Sequence, residues 1–489
     1  MQKSLLDPDD WEDFRSQAHA VLDACVDRLI NARDFPWRPV SPGSLREYPL
    51  PDAGGEETYR DLAGKLVTHV LPFATGNTHP RFFGWVHGTG LAAGLLTEMV
   101  AATMNSNCGG RDHAATYIER AVVDWCRRVF GFPETASGIL VTGTSQATLV
   151  ALAVARTRAL GVDVRRDGVR HAPWLTAYAV EGVHSAVVKA LEVLGLGSSA
   201  LRVVPRSPHG GMDLHALAEL VSRDSAAGAR PFCVIGTAGS VDLGEFDDLH
   251  ALADFCAGQG LWFHVDGAFG AWTRLARSPW RDMTDGLQRA DSVAFDFHKW
   301  MYVQYDCGAV LVRDRDMHRA TFAARPSYLA GQEYGLGGGE PWYCDYGTDL
   351  SRGFRALKAW AAIKVYGTSR MGSAITRNCQ LAALMGKIVE ESDELSLCAP
   401  VRSNVCCFSA SDPDMGPEEG GMLNKRIVES LQVSGEAVFS TTQCRGSTVI
   451  RAAIVNHRTC EDDIRASIGA VRKLRAALRD KREAGPANR

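Results

Sequence analysis

The sequence has no long hydrophobic run, no strong excess of one charge and no metal-binding cysteine spacing. No stretch reaches the about 18 uninterrupted apolar residues that a membrane-spanning helix needs. A formal charge of -4 over 489 residues provides neither a basic stripe for nucleic acid nor an acidic tail. The thirteen cysteines are scattered, without the Cys-x-x-Cys spacing of zinc or redox sites. We therefore expect a cytoplasmic protein with reduced thiols, no metal and no membrane or nucleic-acid partner, which acts on a small molecule.

The sequence does contain enough apolar residues for a large core. They make up 46% of the chain, and between about residues 138 and 313 short apolar runs alternate with helical patterns. The runs are Ile139–Val141, Trp174–Val180, Phe232–Ile235, Leu261–Val265, Ser292–Phe295 and Ala309–Val312. Strands this uniformly apolar are buried on both faces. The pattern therefore predicts a mostly parallel α/β sheet covered by helices, with ligands at the carboxyl ends of its strands.

Helical patterns flank this α/β region on both sides. Apolar residues recur at helical spacing from Asp9 to about Ala32 and from Thr58 to Phe73, which predicts an N-terminal arm. Beyond about Gly372, helical patterns mix with short strands. The chain is therefore predicted to have an arm over residues 1–75, a large α/β domain over residues 76–368 and a smaller α+β domain over residues 369–489.

Two residues of the α/β region have the chemistry of a cofactor site. Lys299 lies in Phe295-Asp-Phe-His-Lys-Trp300, and Asp266 ends the apolar run Phe263-His-Val-Asp266. A lysine amine can hold an aldehyde cofactor as a Schiff base, and a carboxylate can keep a pyridine nitrogen protonated so that the ring accepts electrons. Opposite charges about 4 Å apart attract by roughly 4 kcal/mol at an effective dielectric of about 20. That attraction is enough to keep the ring protonated, so the pair indicates pyridoxal phosphate.

Other small or polar residues also follow predicted strands. Gly143 turns the chain from a strand into a helix that starts with Thr144 and Ser145, and such a helix start suits a phosphate. His184 and Thr237 each follow a further strand, and an imidazole there can stack on a planar ring. Taken singly, each is explained better by a capped helix or an ordinary turn. Only their shared position at strand ends predicts a site.

The order of these residues resembles the group II pyridoxal-phosphate decarboxylases, which include aromatic-amino-acid and glutamate decarboxylases. The matching segments are Gly143-Thr-Ser-Gln-Ala-Thr148, His184, His264-Val-Asp-Gly-Ala268, His298-Lys-Trp300, His79–Phe83, Ser351–Trp360 and Asn456–Thr459. The resemblance implies a fold-type I enzyme of the α/β class, whose large domain has a mostly parallel seven-stranded sheet covered by helices. It also implies pyridoxal 5'-phosphate as cofactor and decarboxylation of an L-amino acid to the amine and carbon dioxide, through a Schiff base and a quinonoid intermediate.

The resemblance also implies a role for each site residue. Lys299 would form the Schiff base, Asp266 would pair with the ring nitrogen, and His184 would stack on one ring face. The remaining cofactor contacts would be Gly143, Thr144, Ser145 and His298 around the phosphate, Ala268 on the other ring face and Thr237 at the ring edge. Tyr328 corresponds to the tyrosine that protonates the α-carbon. In the family this tyrosine lies on a loop that closes over the neighbouring subunit's site, so a homodimer with shared active sites is implied.

The substrate side of the predicted site is less specific. Phe82, Phe83 and Trp85 are candidates for the wall of an aromatic substrate pocket, with core packing as the alternative. Arg451 is a candidate for binding a substrate carboxylate, with a surface ion pair as the alternative. We expect an aromatic L-amino acid as substrate and an acidic one as the alternative. Oxygen-dependent decarboxylative deamination to an aldehyde is a further alternative with the same cofactor.

Overall fold

A computed structural model describes residues 5–50, 55–324 and 334–483, with side chains described up to residue 479. Its α-helices are α1 (Trp11–Ile30), α2 (Pro42–Leu45), α3 (Tyr59–Lys65), α4 (Ala92–Met104), α5 (Ala114–Phe130), α6 (Thr144–Leu160), α7 (Val164–Asp167), α8 (Ser185–Val193), α9 (Leu214–Ala226), α10 (Leu249–Gln259), α11 (Arg315–Phe322), α12 (Arg355–Glu390), α13 (Pro417–Ser434) and α14 (Glu461–Glu483). Its strands are β1 (Ser137–Val141), β2 (Leu175–Val180), β3 (Leu201–Val204), β4 (Arg230–Thr237), β5 (Trp262–Asp266), β6 (Ser292–Asp296), β7 (Gly308–Val312), β8 (Ser396–Leu397), β9 (Val405–Ser409), β10 (Ser440–Cys444) and β11 (Ser447–Ala453).

The central sheet has seven strands in the order β1-β7-β6-β5-β4-β2-β3. Strand β7 is antiparallel to both of its neighbours, and the other neighbouring pairs are parallel. The predicted mostly parallel α/β sheet is therefore confirmed. The apolar pattern located every strand of this sheet except β3. That strand was missed because only Val204 of its residues is buried and Arg202 interrupts the apolar run.

Helices cover both faces of this sheet because its strands are apolar on both faces. Every residue of β1, β2, β5, β6 and β7 is buried. One apolar core joins the sheet to α6 and α8, and another joins it to α5, α9, α10 and α12. Phe130, Trp272 and Phe295 lie in the second core with ring centroids 4.9 to 5.3 Å apart. Packing on both faces fixes the strands that carry the site.

The register of the parallel strands aligns their carboxyl ends. Thr237 of β4 pairs with Asp266 of β5, and Asp266 pairs with Ala294 of β6. Strand β1 runs in the same direction, and the chain turns at Gly143 into α6. Because carboxyl ends of parallel strands meet at one edge of a sheet, the residues after β1, β4, β5 and β6 come together there.

A second sheet organises the C-terminal part of the chain. Its four antiparallel strands have the order β10-β11-β9-β8, and α13 and α14 share an apolar core with it. The predicted strands near residues 405–409 and 448–454 correspond to β9 and β11. The division of the chain after residues 75 and 368 stays a proposal. Helix α12 runs across the second of these points, and Gly367, with a φ of 67°, interrupts its helical geometry there.

The N-terminal helix α1 lies on the outside of the molecule. The Asp10 side chain caps it by accepting hydrogen bonds from the backbone N–H groups of Glu12, at 2.9 Å, and Asp13, at 3.1 Å. None of its residues is buried in the single chain, and α3 is its main contact. Within the described ranges, no helix combines the length and apolarity needed to cross a membrane.

Candidate active site

A cavity of about 370 Å³ lies at the carboxyl edge of the central sheet. All the residues predicted from the sequence to contact the cofactor line this cavity: Gly143, Thr144, Ser145, His184, Thr237, Asp266, Ala268, His298 and Lys299. They come from different strand ends that the sheet register aligns. The structure therefore brings together residues that are up to 156 positions apart between Gly143 and Lys299. Tyr328 lies outside the described residues.

The turn between β1 and α6 presents unpaired donors. No described residue accepts a hydrogen bond from the backbone N–H groups of Ser145 and Gln146, and the buried Thr144 hydroxyl also has no partner among the described residues. The backbone is tightly packed here, since a Cβ added to Gly308 would lie 2.5 Å from the Cα of Gly143. A helix start with free N–H groups and a close backbone is a favourable place for a phosphate.

Lys299 follows β6 and forms an ion pair that the sequence analysis missed. Its Nζ lies 2.9 Å from Oδ2 of Asp296, while Oδ1 of Asp296 accepts a hydrogen bond from the Thr144 backbone N–H at 2.7 Å. Burial alone would raise the pKa of Asp296, but the charges of Lys299 and His298 and these hydrogen bonds lower it. Asp296 is therefore an ionised carboxylate beside the amine. Its position three residues before Lys299 was the available sequence signal.

Asp266 ends β5 as a buried acid within the cavity. Its side chain is 7% exposed, and Oδ1 accepts a hydrogen bond from the Ala268 backbone N–H at 3.1 Å. Burial raises the pKa of Asp266, while the charge of Lys299 and the Ala268 hydrogen bond act in the opposite direction. A buried carboxylate gains most from a cationic partner, so Asp266 suits a protonated ring nitrogen.

His184 and His298 are oriented by the backbone around them. His184 caps α8, because its Nδ1 accepts a hydrogen bond from the Ala186 backbone N–H at 3.2 Å. The Nδ1 of His298 accepts from the Cys307 N–H at 3.0 Å, and its Nε2 lies 3.6 Å from Asp296 Oδ2. In a neutral imidazole the proton is then on Nε2, which makes Nε2 of each ring the donor available to a ligand.

Thr237 is held at the end of β4 by a buried carboxylate. Its backbone N–H donates to Oδ2 of Asp247 at 2.7 Å, and Oδ1 of Asp247 accepts from the Met212 N–H at 2.7 Å. The Thr237 hydroxyl is buried and has no hydrogen-bond partner among the described residues. Together with the unpaired Thr144 hydroxyl, this orphaned group is a structural reason to expect a polar ligand in the cavity, because buried polar groups normally find partners. The available donors and the buried acid fit pyridoxal phosphate.

The predicted substrate residues divide into two groups. Trp85 lines the cavity and is 50% exposed, while Phe82 lies behind it, 3% exposed, with ring centroids 6.2 Å apart. Phe83 does not reach the cavity, because it is fully buried and packs on Phe439 in the C-terminal core. Arg451 is not among the described lining residues either, because its buried guanidinium donates to the carbonyl oxygen of Trp85 at 2.9 Å.

The cavity is also lined by the aromatic side chains of His87, Phe269 and Tyr305, which were not among the predicted site residues. The His87 ring stacks on Trp85 with centroids 5.6 Å apart, and Tyr305 lies 4.3 Å from the His298 ring. Burial and the charge of Lys299 lower the pKa of His87. His87 follows the matched segment at residues 79–83 closely, but nothing in its local sequence distinguishes it from a turn residue.

Known proteins match this chain along nearly all of its length. A family model described as the pyridoxal-dependent decarboxylase conserved domain matches residues 42–411. The aromatic-L-amino-acid decarboxylase of Bacillus atrophaeus is 29% identical, over 93% of this chain and 93% of its own. The phenylacetaldehyde synthase of Arabidopsis thaliana is 28% identical, over 92% of this chain and 92% of its own.

A solved structure supports the same relationship at the level of the fold. Oryza sativa TDC with PLP and tryptamine has a TM-score of 0.86 and 26% identity, covering 97% of this chain and 99% of that one. The expected fold type, cofactor and enzyme class are thereby confirmed. Since the family model covers most of its residues, the chain belongs to the pyridoxal-dependent decarboxylase family.

Proposed function

We infer that this protein uses pyridoxal 5'-phosphate to decarboxylate an aromatic L-amino acid to its amine and carbon dioxide. The observation that carries this proposal is the convergence of Lys299, Asp266 and the start of α6 on one cavity. When bound, the cofactor supplies a ring that accepts the electrons released with carbon dioxide. The protein contributes the groups that hold this ring and its phosphate.

We propose a separate task for each group. The Lys299 amine attaches the cofactor, the Asp266 carboxylate keeps the ring nitrogen protonated, and His184 packs on the ring face. The remaining contacts are proposed for Gly143, Thr144, Ser145 and His298 at the phosphate, Ala268 at the other ring face and Thr237 at the ring edge. The unpaired hydroxyls of Thr144 and Thr237 support this assignment. Lys299→Ala should therefore remove the absorbance band of bound cofactor, whereas the exposed Lys387→Ala should keep it.

Tyr328 is proposed as the acid that protonates the α-carbon after loss of carbon dioxide, and it lies outside the described residues. Its removal should divert the reaction towards an aldehyde with uptake of oxygen. We therefore expect Tyr328→Phe to form less amine and more aldehyde than the parent protein. Tyr334→Phe changes a tyrosine six positions later in the sequence that is 81% exposed, and it should leave the product unchanged. Amine as the only product of Tyr328→Phe would contradict this role.

The cavity wall favours an aromatic substrate over an acidic one. Trp85 and His87 provide ring surfaces, and no arginine is among the described residues that line the cavity. Trp85 has a φ of 51°, an uncommon value for a bulky residue, and Arg451 and Ser440 hydrogen-bond to its backbone in this conformation. We propose that Arg451 acts by holding Trp85 in place and does not bind the substrate carboxylate.

The alternative product is an aldehyde formed with oxygen, since one similar protein is named a phenylacetaldehyde synthase. An aerobic assay of the cofactor-loaded protein with a panel of L-amino acids distinguishes the two. Carbon dioxide, oxygen uptake and product mass are recorded together. Amine from tryptophan, tyrosine, phenylalanine or dihydroxyphenylalanine, without oxygen uptake, supports the proposal. Aldehyde with oxygen uptake supports the alternative, and turnover of glutamate or aspartate alone would overturn the aromatic assignment.

A homodimer is proposed as the functional form. Helix α1 has no buried residue, and on α4 the side chains of Leu96, Met99 and Val100 are 41 to 60% exposed. Apolar surface of this kind is usually covered by a partner, and a second copy would supply it. Light scattering that finds an active monomer would overturn this proposal. A cytoplasmic location is also proposed, because no disulfide joins cysteines within the described ranges.

A further inference from the structure

Asp296 lines the cavity and makes two polar contacts shorter than 3 Å, and the proposed function gives it no task. It is 1% exposed and lies at the end of β6. One carboxylate oxygen is 2.9 Å from Lys299 Nζ, and the other accepts the Thr144 backbone N–H at 2.7 Å. The first of these oxygens is also 3.6 Å from His298 Nε2.

These partners are the groups that the cofactor needs. The Thr144 N–H is the first donor of the helix that is suited to a phosphate, and Lys299 is the amine that is suited to the aldehyde. We propose that Asp296 controls cofactor loading, because its carboxylate holds both groups and has to release them when pyridoxal phosphate binds. This inference rests on the proposed function.

The effect on the amine follows from the chemistry of attachment. Attack on the aldehyde carbon needs the lone pair of a neutral amine, whereas the Asp296 carboxylate stabilises the ammonium of Lys299. During attachment a bond forms between Nζ and the aldehyde carbon. Two hydrogens of the ammonium leave with the aldehyde oxygen as water, and the third stays on the nitrogen. Breaking the ion pair is therefore part of the loading step.

The effect on the phosphate is a matter of charge. The positive end of the α6 dipole and the free N–H groups of Ser145 and Gln146 favour an anion, but the Asp296 carboxylate already accepts the N–H of Thr144, the first residue of this helix. A phosphate that binds at the same helix start experiences repulsion from this carboxylate. Asparagine at this position has nearly the same shape and retains an oxygen for the Thr144 N–H, but it has no charge. Asp296→Asn thus removes the repulsion of the phosphate while preserving the hydrogen bond from the Thr144 N–H.

The test compares cofactor-free Asp296→Asn with the parent protein. Stopped-flow absorbance measures the rate of Schiff-base formation with pyridoxal, which has no phosphate, and with pyridoxal phosphate. We expect the variant to react with pyridoxal about tenfold faster or more at neutral pH, because the charge-assisted bond of 2.9 Å between Lys299 Nζ and the carboxylate no longer has to be broken. Pyridoxal phosphate should also gain affinity relative to pyridoxal, so that the dissociation constant of pyridoxal divided by that of pyridoxal phosphate rises about tenfold.

Asp291→Asn is the matched control. Asp291 lies just before β6, at the opposite end of the strand, where its side chain accepts a hydrogen bond from the Phe263 N–H at 2.8 Å. The control should stay within about twofold of the parent rates. Far-UV circular dichroism and thermal midpoints of all three proteins verify that they are folded.

The possible outcomes separate this inference from the proposed function. The role of Asp296 would be overturned if Asp296→Asn reacted with both aldehydes no faster, and bound them no more tightly, than the parent protein. Lys299 would still be the attachment site in that case. A change with pyridoxal phosphate alone would overturn the effect on the amine. Failure of the folded parent protein to form a Schiff base with either aldehyde would overturn the proposed function itself and this inference with it.

Discussion

The buried ion pair of Glu119 and Arg352 provides a quantitative test of how β1 is held. Their side chains are 3% and 1% exposed, and the Arg352 guanidinium donates to both carboxylate oxygens, at 2.6 and 3.1 Å. Arg352 also donates to the carbonyl oxygens of Cys108 and Leu140, and Glu119 accepts from the Leu140 N–H at 3.0 Å. The pair therefore holds both the N–H and the carbonyl group of Leu140, a residue of β1, the strand that leads to the turn at Gly143.

Glu119→Gln removes the charge and nearly preserves the shape. The guanidinium of Arg352 then remains buried without an opposite charge, and removal of one partner from such a pair costs about 3 to 5 kcal/mol of unfolding free energy. Urea titration followed by far-UV circular dichroism measures this loss. Glu12→Gln is the matched control, since Glu12 pairs with Arg15 on an exposed helix surface, where the side chains are 78% and 64% exposed. It should leave the urea midpoint unchanged.

A double-mutant cycle separates coupling from general damage. Because the two side chains touch, the loss in Glu119→Gln with Arg352→Met should be smaller than the sum of the single losses by at least about 1 kcal/mol. The explanation would be refuted by a cost below about 1 kcal/mol for Glu119→Gln, or by additive single losses.

Two further predictions concern the cavity floor and acid stability. Gly308→Ala should abolish cofactor binding in an absorbance titration, because the added Cβ would lie 2.5 Å from the Gly143 Cα. Gly353→Ala is the control: a Cβ added at Gly353 meets no heavy atom within 4 Å, so this variant should bind the cofactor normally. Burial lowers the pKa of His264 to about 3 and that of His318 to about 4, below the ordinary value of 6.5. The stability that these neutral buried rings contribute is thus fully present above pH 6.5 and is lost as the pH falls towards their folded-state pKa values. Thermal midpoints should therefore decrease from pH 7 to 4. A flat profile would contradict the assignment of buried neutral rings.

The sequence was sufficient to predict that the proposed cofactor residues lie at one edge of the sheet, because each ends an apolar strand or follows one closely. Lys299, Asp266 and Thr144 could be assigned to one edge without knowledge of the strand order, since parallel strands end together. Asp296 was missed because it reads as the last residue of a buried strand, and its ion pair with Lys299 depends on how the chain turns after β6.

The substrate side was harder to predict for a physical reason. Phe83 and Trp85 are both aromatic and two positions apart, yet one is buried in the C-terminal core and the other lines the cavity. Their difference arises from long-range contacts, such as the bond from Arg451 to the carbonyl of Trp85 across 366 positions. A local pattern contains no information about such contacts.

The register of β4, β5 and β6 also determines which changes in chain length the protein can tolerate. Side chains alternate between the faces of a sheet, so one residue inserted within β5 would turn Asp266 away from its present direction and shift it relative to Thr237. Insertions in the connections at the amino edge, such as residues 227–229 before β4, leave this alignment intact. Length variation among functional descendants of this chain is therefore expected to accumulate at the amino edge of the sheet and to be excluded from its central strands.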